Sequence, residues 1–228
     1  VFDVVSEGRL QWAEMAPEYD RIILGKEEYG FIAGRENFAA MLKERFPQEG
    51  QAIDRYIELI REMSRKTPRF FAGQAMPPLL ARAYNLIRPL LLPKAFFQTT
   101  REVLENLTGN QQLISVLTGQ WGDYGQTPTD AAFIMHALIA KHYLAGGAYP
   151  VGGASAIART IIPTIQKSGG EVFTYADVDE IIVRNNRACG VRLANGTELT
   201  AERVVSNAGF WNTTQRLLPA EVRKKLGT

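Results

Sequence analysis

The chain has 228 residues, a net charge of +2 and 46% apolar residues. This length can bury the core of one large domain or two small ones, and the weak net charge predicts no nucleic-acid partner. The single cysteine, Cys189, excludes a disulfide framework and favours a reducing, cytoplasmic location. No apolar run is long enough to cross a bilayer. The first residues, VFDVVSEGRLQW, lack a start methionine, which we interpret as a cut within a longer protein, with a processed N-terminus as the alternative.

Residues 10–34 are predicted to form antiparallel β-structure. Apolar and polar residues alternate along LQWAEMAPEYDRIILGKEEYGFIAG, and Pro17 and the Gly25–Gly30 region interrupt it as turns would. Two helices are predicted to follow, in RENFAAMLKERF and GQAIDRYIELIREMSRK, because apolar residues recur there at helical spacing. The residues that carry this spacing are Phe38, Leu42 and Phe46 in the first helix and Ile53, Ile57 and Ile60 in the second.

Residues 70–98 form the most apolar stretch of the chain, and two interpretations stay open for it. Four prolines break the stretch, and Arg82, Arg88 and Lys94 interrupt its apolar residues. Kinked core helices are one interpretation. The other is an interfacial patch, with basic residues at the level of lipid headgroups and Leu and Phe in the acyl region, which predicts peripheral membrane contact.

A further helix is predicted within TPTDAAFIMHALIAKHYLAGG. Thr127 can cap it, Pro128 suits its first position, and Asp130 would lie in its first turn. Gly146–Gly147 would end it.

The character of the chain changes near residue 148, from mostly helical to mixed α/β. A helix with a stripe of Ile157, Ile161 and Ile165 is followed by a short strand, EVFTY, at residues 171–175. Residues 177–205 then predict a three-stranded meander, with turns at Asn185-Asn186 and Asn195-Gly196. The predicted fold is therefore α+β or α/β. Residues 1–148 are predicted to form a mostly helical segment with an N-terminal antiparallel β-segment, and residues 149–228 a second segment of mixed α/β character.

Few residues suggest direct chemistry. His136 and His142 are six residues apart on one helix and cannot share a ligand face, so no metal site is predicted. Cys189 lacks a neighbouring Cys or His, and GGASAI lacks the strand-to-helix elbow of a serine hydrolase. Gly152 and Gly153 precede a helix, where free N–H groups of residues 153–155 could meet a flat or anionic ligand. An ordinary loop with an N-cap would look the same.

The sequence resembles a known family over nearly its whole length. The stretch from His142 to Gly209 resembles phytoene desaturases, carotenoid isomerases and, most closely, retinol saturases. Its most specific parts are the segments Y-P-x-G-G, R-A-C-G-V and V-V-S-N-A-G. The segments EGRLQWAEMAPEYDRIIL, LKERFPQEGQAIDRYIELI and YGQTPTDAAFIMHALIAKHY are similar to the same family.

This resemblance implies an FAD-dependent oxidoreductase that acts on a carotenoid or retinoid by C–C desaturation, saturation or isomerisation. It implies that residues 1–148 belong to the substrate-binding domain and residues 149–228 to the middle of an FAD/NAD(P)-binding domain. FAD is the implied cofactor, and NAD(P) a further candidate. The implied cofactor-binding residues are Tyr149, Pro150, Gly152 and Gly153 near the isoalloxazine, Val178 near the adenine, and Ser206, Asn207, Ala208 and Gly209 near the dinucleotide.

Two features keep an alternative open. Relatives often carry a basic residue where this chain has Val151, so no charged role is assigned there, and no catalytic residue is named. The chain also contains no G-x-G-x-x-G dinucleotide motif. The alternative to an enzyme is a non-catalytic module that binds a hydrophobic ligand or docks on a membrane.

Overall fold

The structure, a computed structural model, describes residues 1–226. The chain divides into two compact units, Val1–Ala158 and Arg159–Thr228. The domain boundary predicted between residues 148 and 149 lies within the first unit and stays a prediction. The mixed α+β class predicted from the sequence is confirmed, since helices alternate with small antiparallel sheets.

The first unit contains four strands and seven α-helices among the described residues. The strands are β1 (Trp12–Glu14), β2 (Glu18–Leu24), β3 (Glu27–Ile32) and β4 (Ala148–Pro150). The helices are α1 (Phe2–Val5), α2 (Arg35–Arg45), α3 (Gly50–Phe71), α4 (Pro78–Leu91), α5 (Thr100–Glu105), α6 (Gln111–Leu117) and α7 (Phe133–Tyr143). Short 3₁₀ turns occupy Pro47–Glu49, Ala72–Ala75, Lys94–Phe97 and Trp121–Asp123.

Strands β2 and β3 form an antiparallel hairpin, which confirms the β-structure predicted for this part of the chain. Its turn uses Gly25 at φ +66°, a conformation that strains residues with a Cβ. Tyr29 and Phe31 point inward from β3 and are buried. Phe31 meets Phe38 of α2 edge to face, with ring centroids 5.0 Å apart. The hairpin therefore covers one side of the helical core.

Helices α2 and α3 bury the faces that the sequence predicts. Phe38, Leu42 and Phe46 are buried, as are Ile53, Ile57 and Ile60. Helix α3 packs against α7. Burying each of these large apolar side chains contributes about 1.5–3 kcal/mol, so this packing is the main stabilising element of the first unit.

Helix α7 begins at Phe133, and its predicted start at Pro128 is wrong. Residues 127–130 form a separate turn, in which Thr127 Oγ1 donates to Asp130 Oδ2 at 2.6 Å. Ala132 is extended and forms an isolated bridge with Thr99, while the Phe133 amide donates to the Gln98 carbonyl at 2.9 Å. This pairing with residues 98–100 holds the chain extended, so the helix begins only at Phe133.

Residues 70–98 divide between core and surface. No residue of α4 is buried, so the core-helix interpretation is wrong for α4. Leu92, Ala95 and Phe96, which follow it, are buried. Among residues 1–226, no helix combines the length and apolarity needed to cross a membrane.

The second unit carries the predicted meander. Its elements are α8 (Ser155–Lys167, which starts in the first unit), β5 (Val178–Arg184), β6 (Arg187–Leu193), β7 (Glu198–Thr200), α9 (Phe210–Asn212), a π-helical turn (Thr213–Leu217) and α10 (Ala220–Leu226). The strands form one antiparallel sheet in the order β5-β6-β7. Asn185 and Asn186 both have positive φ at the first turn, as predicted.

Two details of the predicted second unit are wrong. Residues 171–175 do not form a strand, because no described strand pairs with them and all five are exposed. The third strand ends at Thr200 rather than near Val205. Its ladder closes with a hydrogen bond from the Ala201 amide to the Cys189 carbonyl, and Val205 is 94% exposed.

Candidate functional site

The predicted cofactor-binding residues fall into two groups, one in each compact unit. Tyr149, Pro150, Gly152 and Gly153 lie in the first unit, and Val178 with residues 206–209 lies in the second. Each group has its own local geometry, set by a strand and by the turn beside it.

Strand β4 presents Tyr149 at the surface of the first unit. It pairs antiparallel with β1, so that Ala13 lies opposite Tyr149 and Trp12 opposite Pro150. A hydrogen bond from the Val151 amide to the Gln11 carbonyl, 2.9 Å long, extends the pairing. The Tyr149 side chain is 55% exposed, whereas Pro150 is buried. The backbone is thus held in place while one aromatic side chain remains available to a ligand.

The turn after β4 requires glycine. Gly152 and Gly153 have φ values of +86° and +85°, a region that favours glycine. The Gly153 amide donates to the Pro150 carbonyl at 3.0 Å, so the expectation that this N–H group is free for a ligand is wrong. A Cβ added at Gly153 would meet no protein atom within 4 Å. The glycine is therefore needed for its backbone conformation, and the space beside it is open.

Trp12 is a candidate residue that the sequence interpretation missed. It is 40% exposed and meets Phe2 edge to face, with ring centroids 5.2 Å apart. Its register opposite Pro150 places it beside the glycine turn, a long-range relationship that no local sequence signal indicates. The first group therefore includes a second exposed aromatic ring.

Two residues of the second group, Val178 and Ala208, line an open cleft of about 510 Å³. Val178 begins β5, and Ala208 belongs to the S-N-A-G turn, so the structure brings together two residues that are thirty positions apart in sequence. The remaining lining residues are Asp177, Asp179, Asn212, Arg216 and Leu217. Amide, carboxylate and guanidinium groups in one cleft offer both donors and acceptors to a polar ligand.

The S-N-A-G turn is held by its own polar groups. Ser206 Oγ lies 2.6 Å from Thr213 Oγ1, and the Asn212 amide group donates to the Ala208 carbonyl at 2.9 Å. Gly209 has φ +85° and precedes α9, while Asn207 is exposed. Of residues 206–209, Ala208 lines the cleft.

Asn212 and Arg216 are cleft residues that the sequence interpretation did not name. They are four positions apart, one helical turn, and project from the segment that follows the S-N-A-G turn. That spacing is the sequence signal that could have found them. Arg216 lines the same cleft as Asp177 and Asp179, so the cleft carries charges of both signs.

His136 lies buried in the core of the first unit. Its Nε2 atom is 2.8 Å from Tyr56 Oη, and its Nδ1 atom is 3.4 Å from Tyr124 Oη. Burial lowers the pKa of His136 to about 4, so the ring is neutral near pH 7. Within residues 1–226, no cluster of three His, Cys, Asp or Glu side chains could hold a metal ion.

Cys189 lies half-buried in β6, where its thiol donates to the Ile182 carbonyl at 3.5 Å. This contact fits a packing role within the meander.

No protein-family model matches the chain. It is 38% identical over its full length to all-trans-retinol 13,14-reductase of Homo sapiens, of which it spans 40%. It is 44% identical over 81 residues to the chloroplastic prolycopene isomerase of Daucus carota, covering 36% of this chain and 13% of that protein.

A third relative is a desaturase. The chain is 28% identical over 231 residues to a 4,4'-diapophytoene desaturase of Methylomonas sp., covering 96% of this chain and 43% of that protein. The chain thus spans about two fifths of the length of the curated retinol reductases that it matches. These comparisons confirm that the chain is a relative of the phytoene desaturase, carotenoid isomerase and retinol saturase family.

Proposed function

We propose that this chain is part of an FAD-dependent oxidoreductase that acts on a polyene, either a carotenoid or a retinoid. The observation that carries the proposal is the full-length similarity to a reductase of all-trans-retinol. The names of the other two relatives extend the reaction class to isomerisation and desaturation of carotenoids. We assign residues 1–148 to the substrate-binding domain and residues 149–228 to the middle of the FAD-binding domain.

FAD is the cofactor that we propose, and the residues of both groups fit it. Gly153 leaves open space in which a flat ring system can approach the backbone, and Tyr149 offers an exposed aromatic face. The cleft at Val178 offers polar groups of the kind that bind the nucleotide end of a dinucleotide. Bound FAD would accept or donate hydride at its flavin ring. No observation supports NAD(P).

We propose that this chain binds and orients the substrate and the cofactor and that it does not transfer protons. As the proposed substrate-binding segment, the first unit would hold the polyene. His136 is buried and neutral, and its two nitrogens already face tyrosine hydroxyls, so we assign it no role in proton transfer. We therefore name no catalytic residue among the described residues.

We also propose peripheral membrane contact through residues 70–98 and a cytoplasmic location. Retinoids and carotenoids partition into membranes, so an enzyme that takes them up benefits from a surface that docks there. The apolar stripe of helix α4 supports this proposal, because no residue of the helix is buried and Leu79, Leu86 and Leu90 are each at least 79% exposed.

A non-catalytic module is the alternative, and the enzyme names of the relatives disfavour it. One relative, from Danio rerio, is 31% identical and is named an inactive all-trans-retinol 13,14-reductase. An assay of turnover distinguishes an enzyme from a non-catalytic module.

The deciding experiment mixes FAD-reconstituted full-length protein with all-trans-retinol or a carotenoid under anaerobic conditions. Saturation shortens the conjugated system and shifts polyene absorption to the blue, desaturation shifts it to the red, and isomerisation keeps its length. Saturation also requires flavin that has been reduced beforehand, whereas desaturation bleaches oxidised flavin. Unchanged polyenes with both flavin states would overturn the enzyme proposal, and a lack of flavin binding would favour the non-catalytic module.

The cleft at Val178 has its own test. Arg216→Glu places a third negative charge among the carboxylates and is expected to weaken FAD binding, measured by flavin fluorescence titration. Arg203→Glu, at an exposed position that does not line the cleft, is the matched control. Equal affinities of the two variants would remove the cleft from the proposed cofactor site.

A further inference from the structure

Helix α4 turns its apolar residues toward solvent. Leu79, Leu86 and Leu90 are 79%, 81% and 85% exposed. Their spacing of seven and four residues places them on one helical face, and Leu80, Ile87 and Leu91 widen this stripe. Single exposed apolar residues are common on soluble proteins, but a contiguous apolar stripe indicates an interaction site.

The opposite side of α4 holds the helix to the protein. The Tyr84 hydroxyl donates to the Arg69 carbonyl, and Arg88 Nη1 donates to the Phe70 carbonyl at 3.4 Å. The Arg88 guanidinium also lies 4.8 Å from the centroid of the Phe70 ring, a cation–π distance. The polar and aromatic side therefore faces inward and the leucine side outward, the reverse of a helix that covers a core.

Positive charge is concentrated in the same segment. Residues 63–100 contain no acidic residue and six basic residues, which are Arg65, Lys66, Arg69, Arg82, Arg88 and Lys94. The rest of the chain has 20 basic and 24 acidic residues, a net charge of −4.

Four of these six basic side chains are exposed, namely Arg65, Arg69, Arg82 and Lys94. None of the four has an ion pair with another described residue. Lys66 is paired with Glu62 at 2.8 Å, so the four exposed cations make up the local positive charge, which a negatively charged surface matches.

We infer that α4 inserts into the membrane surface and that its partner there is a bilayer rich in anionic lipid headgroups. This inference rests on the proposed membrane contact of residues 70–98 and names its partner. A helix of 14 residues is about 21 Å long, shorter than the hydrocarbon core of a bilayer, so it lies in the plane of the interface. Leu79, Leu86 and Leu90 enter the acyl boundary, and Arg82 and Lys94 remain at headgroup level.

Vesicle co-sedimentation of the 228-residue chain tests this inference. Binding is expected to be stronger to phosphatidylcholine vesicles that contain phosphatidylglycerol than to pure phosphatidylcholine vesicles. The difference is expected to shrink at high salt, because salt screens exposed charges. Equal binding to both vesicles at low salt would overturn the headgroup preference while membrane contact stands. Failure to bind either kind would overturn both.

A pair of variants tests the leucine stripe. Leu86→Glu combined with Leu90→Glu is expected to lower binding at least tenfold, because the stripe then carries two charges. Ile23→Glu is the matched control, since Ile23 is also an exposed apolar residue (61%) but lies on β2. Wild-type binding by the double variant would overturn the assignment to α4.

A label at α4 gives a readout that does not depend on the double variant folding. Leu86→Cys in a Cys189→Ser background carries an environment-sensitive fluorophore, whose emission is expected to shift to the blue with anionic vesicles. An unshifted emission would overturn insertion of α4.

A second pair of variants tests the charges. Arg82→Gln combined with Lys94→Gln is expected to lower binding to anionic vesicles roughly 10- to 30-fold and to leave binding to neutral vesicles unchanged. Lys26→Gln combined with Arg203→Gln, which removes two exposed charges elsewhere, is the control. Equal losses in both pairs would overturn the local role of residues 63–100. Catalysis does not enter these assays, and the enzyme proposal is tested separately with polyene dispersed in detergent.

Discussion

The hydroxyl of Tyr56 on α3 lies 2.8 Å from Nε2 of His136 on α7, and both side chains are buried. This hydrogen bond joins the two helices that form the centre of the first unit. Desolvation raises the pKa of Tyr56 and lowers that of His136, so both groups are neutral near pH 7 and a hydrogen bond between neutral groups joins them. Protonation of the histidine would leave a charge in the core.

The first prediction concerns the pH dependence of stability. The folded-state pKa of His136, about 4, is below its ordinary value of 6.5. Between these values the unfolded chain binds more protons than the folded one, so stability is fully present above pH 6.5 and is lost as the pH falls toward 4. Titration of His136 is expected to lower the free energy of unfolding by up to about 3 kcal/mol.

Urea denaturation at pH 7 and pH 5 measures this dependence. His136→Gln, which does not titrate, is expected to lower stability at pH 7 and to flatten the loss between the two pH values. His142→Gln, at the exposed histidine, is the control and is expected to keep the wild-type slope. An unchanged slope in His136→Gln would show that other groups cause the acid sensitivity.

The second prediction concerns Gly190 in the meander. A Cβ at this position would collide with the backbone carbonyl of Leu199 on the neighbouring strand. The strands β6 and β7 would have to separate, and Gly190→Ala is expected to destabilise the protein by about 1–3 kcal/mol. Thermal unfolding followed by circular dichroism measures this. Gly122→Ala, where a Cβ would meet no atom within 4 Å, is the control and is expected to cost far less.

Local sequence patterns correctly predicted those elements that are stabilised by residues close together in sequence. The period of Phe38, Leu42 and Phe46 gave a helix, and the period of Ile53, Ile57 and Ile60 gave another. Paired asparagines with positive φ gave the first turn of the meander. In each case the residues that carry the pattern lie within a few positions of one another.

Long-range pairing accounts for the elements that the sequence could not predict. The capping signals at Thr127 and Asp130 are real, but they close a separate turn because Ala132 pairs with Thr99. Residues 171–175 have strand-like composition but no partner strand among the described residues. In both cases a contact distant in sequence decided the outcome.

The residues of the candidate site also divide into those that the sequence singled out and those that only long-range pairing brings together. The sequence resemblance singled out Val178 and Ala208, and the structure places both in one cleft. Trp12 was missed because only the pairing of β1 with β4 brings it opposite Pro150.

The third prediction concerns Gly153, tested in full-length protein that contains this chain. Gly153→Val is expected to abolish turnover or flavin binding, because the added side chain fills the open space beside the turn. Backbone strain alone has to be separated from this effect. Gly169 has a similar φ of +81° and equally open surroundings, so Gly169→Val carries about the same strain, roughly 1–2 kcal/mol. Full activity in Gly153→Val, or equal losses in both variants, would contradict close approach of a ligand.

The fourth prediction is that the 228-residue chain does not retain FAD through purification. Tight dinucleotide binding draws on a glycine-rich turn at a helix N-terminus, which holds the pyrophosphate, and on a carboxylate that holds the ribose. The sequence contains no G-x-G-x-x-G motif. The candidate contacts at Gly153 and Val178 involve mainly backbone, and each hydrogen bond contributes only about 0.5–1.5 kcal/mol net.

Immobilising a ligand as large as FAD costs several kcal/mol, so these contacts alone are expected to give a dissociation constant near 1 mM at best, about −4 kcal/mol. The purified chain is therefore expected to be colourless, as measured by its visible absorption spectrum after gel filtration. Added FAD should bind weakly, and Arg216→Glu should weaken it further if the cleft at Val178 contributes. A yellow preparation with stoichiometric FAD would show that the glycine-rich motif is dispensable and that residues 149–209 form most of the cofactor site.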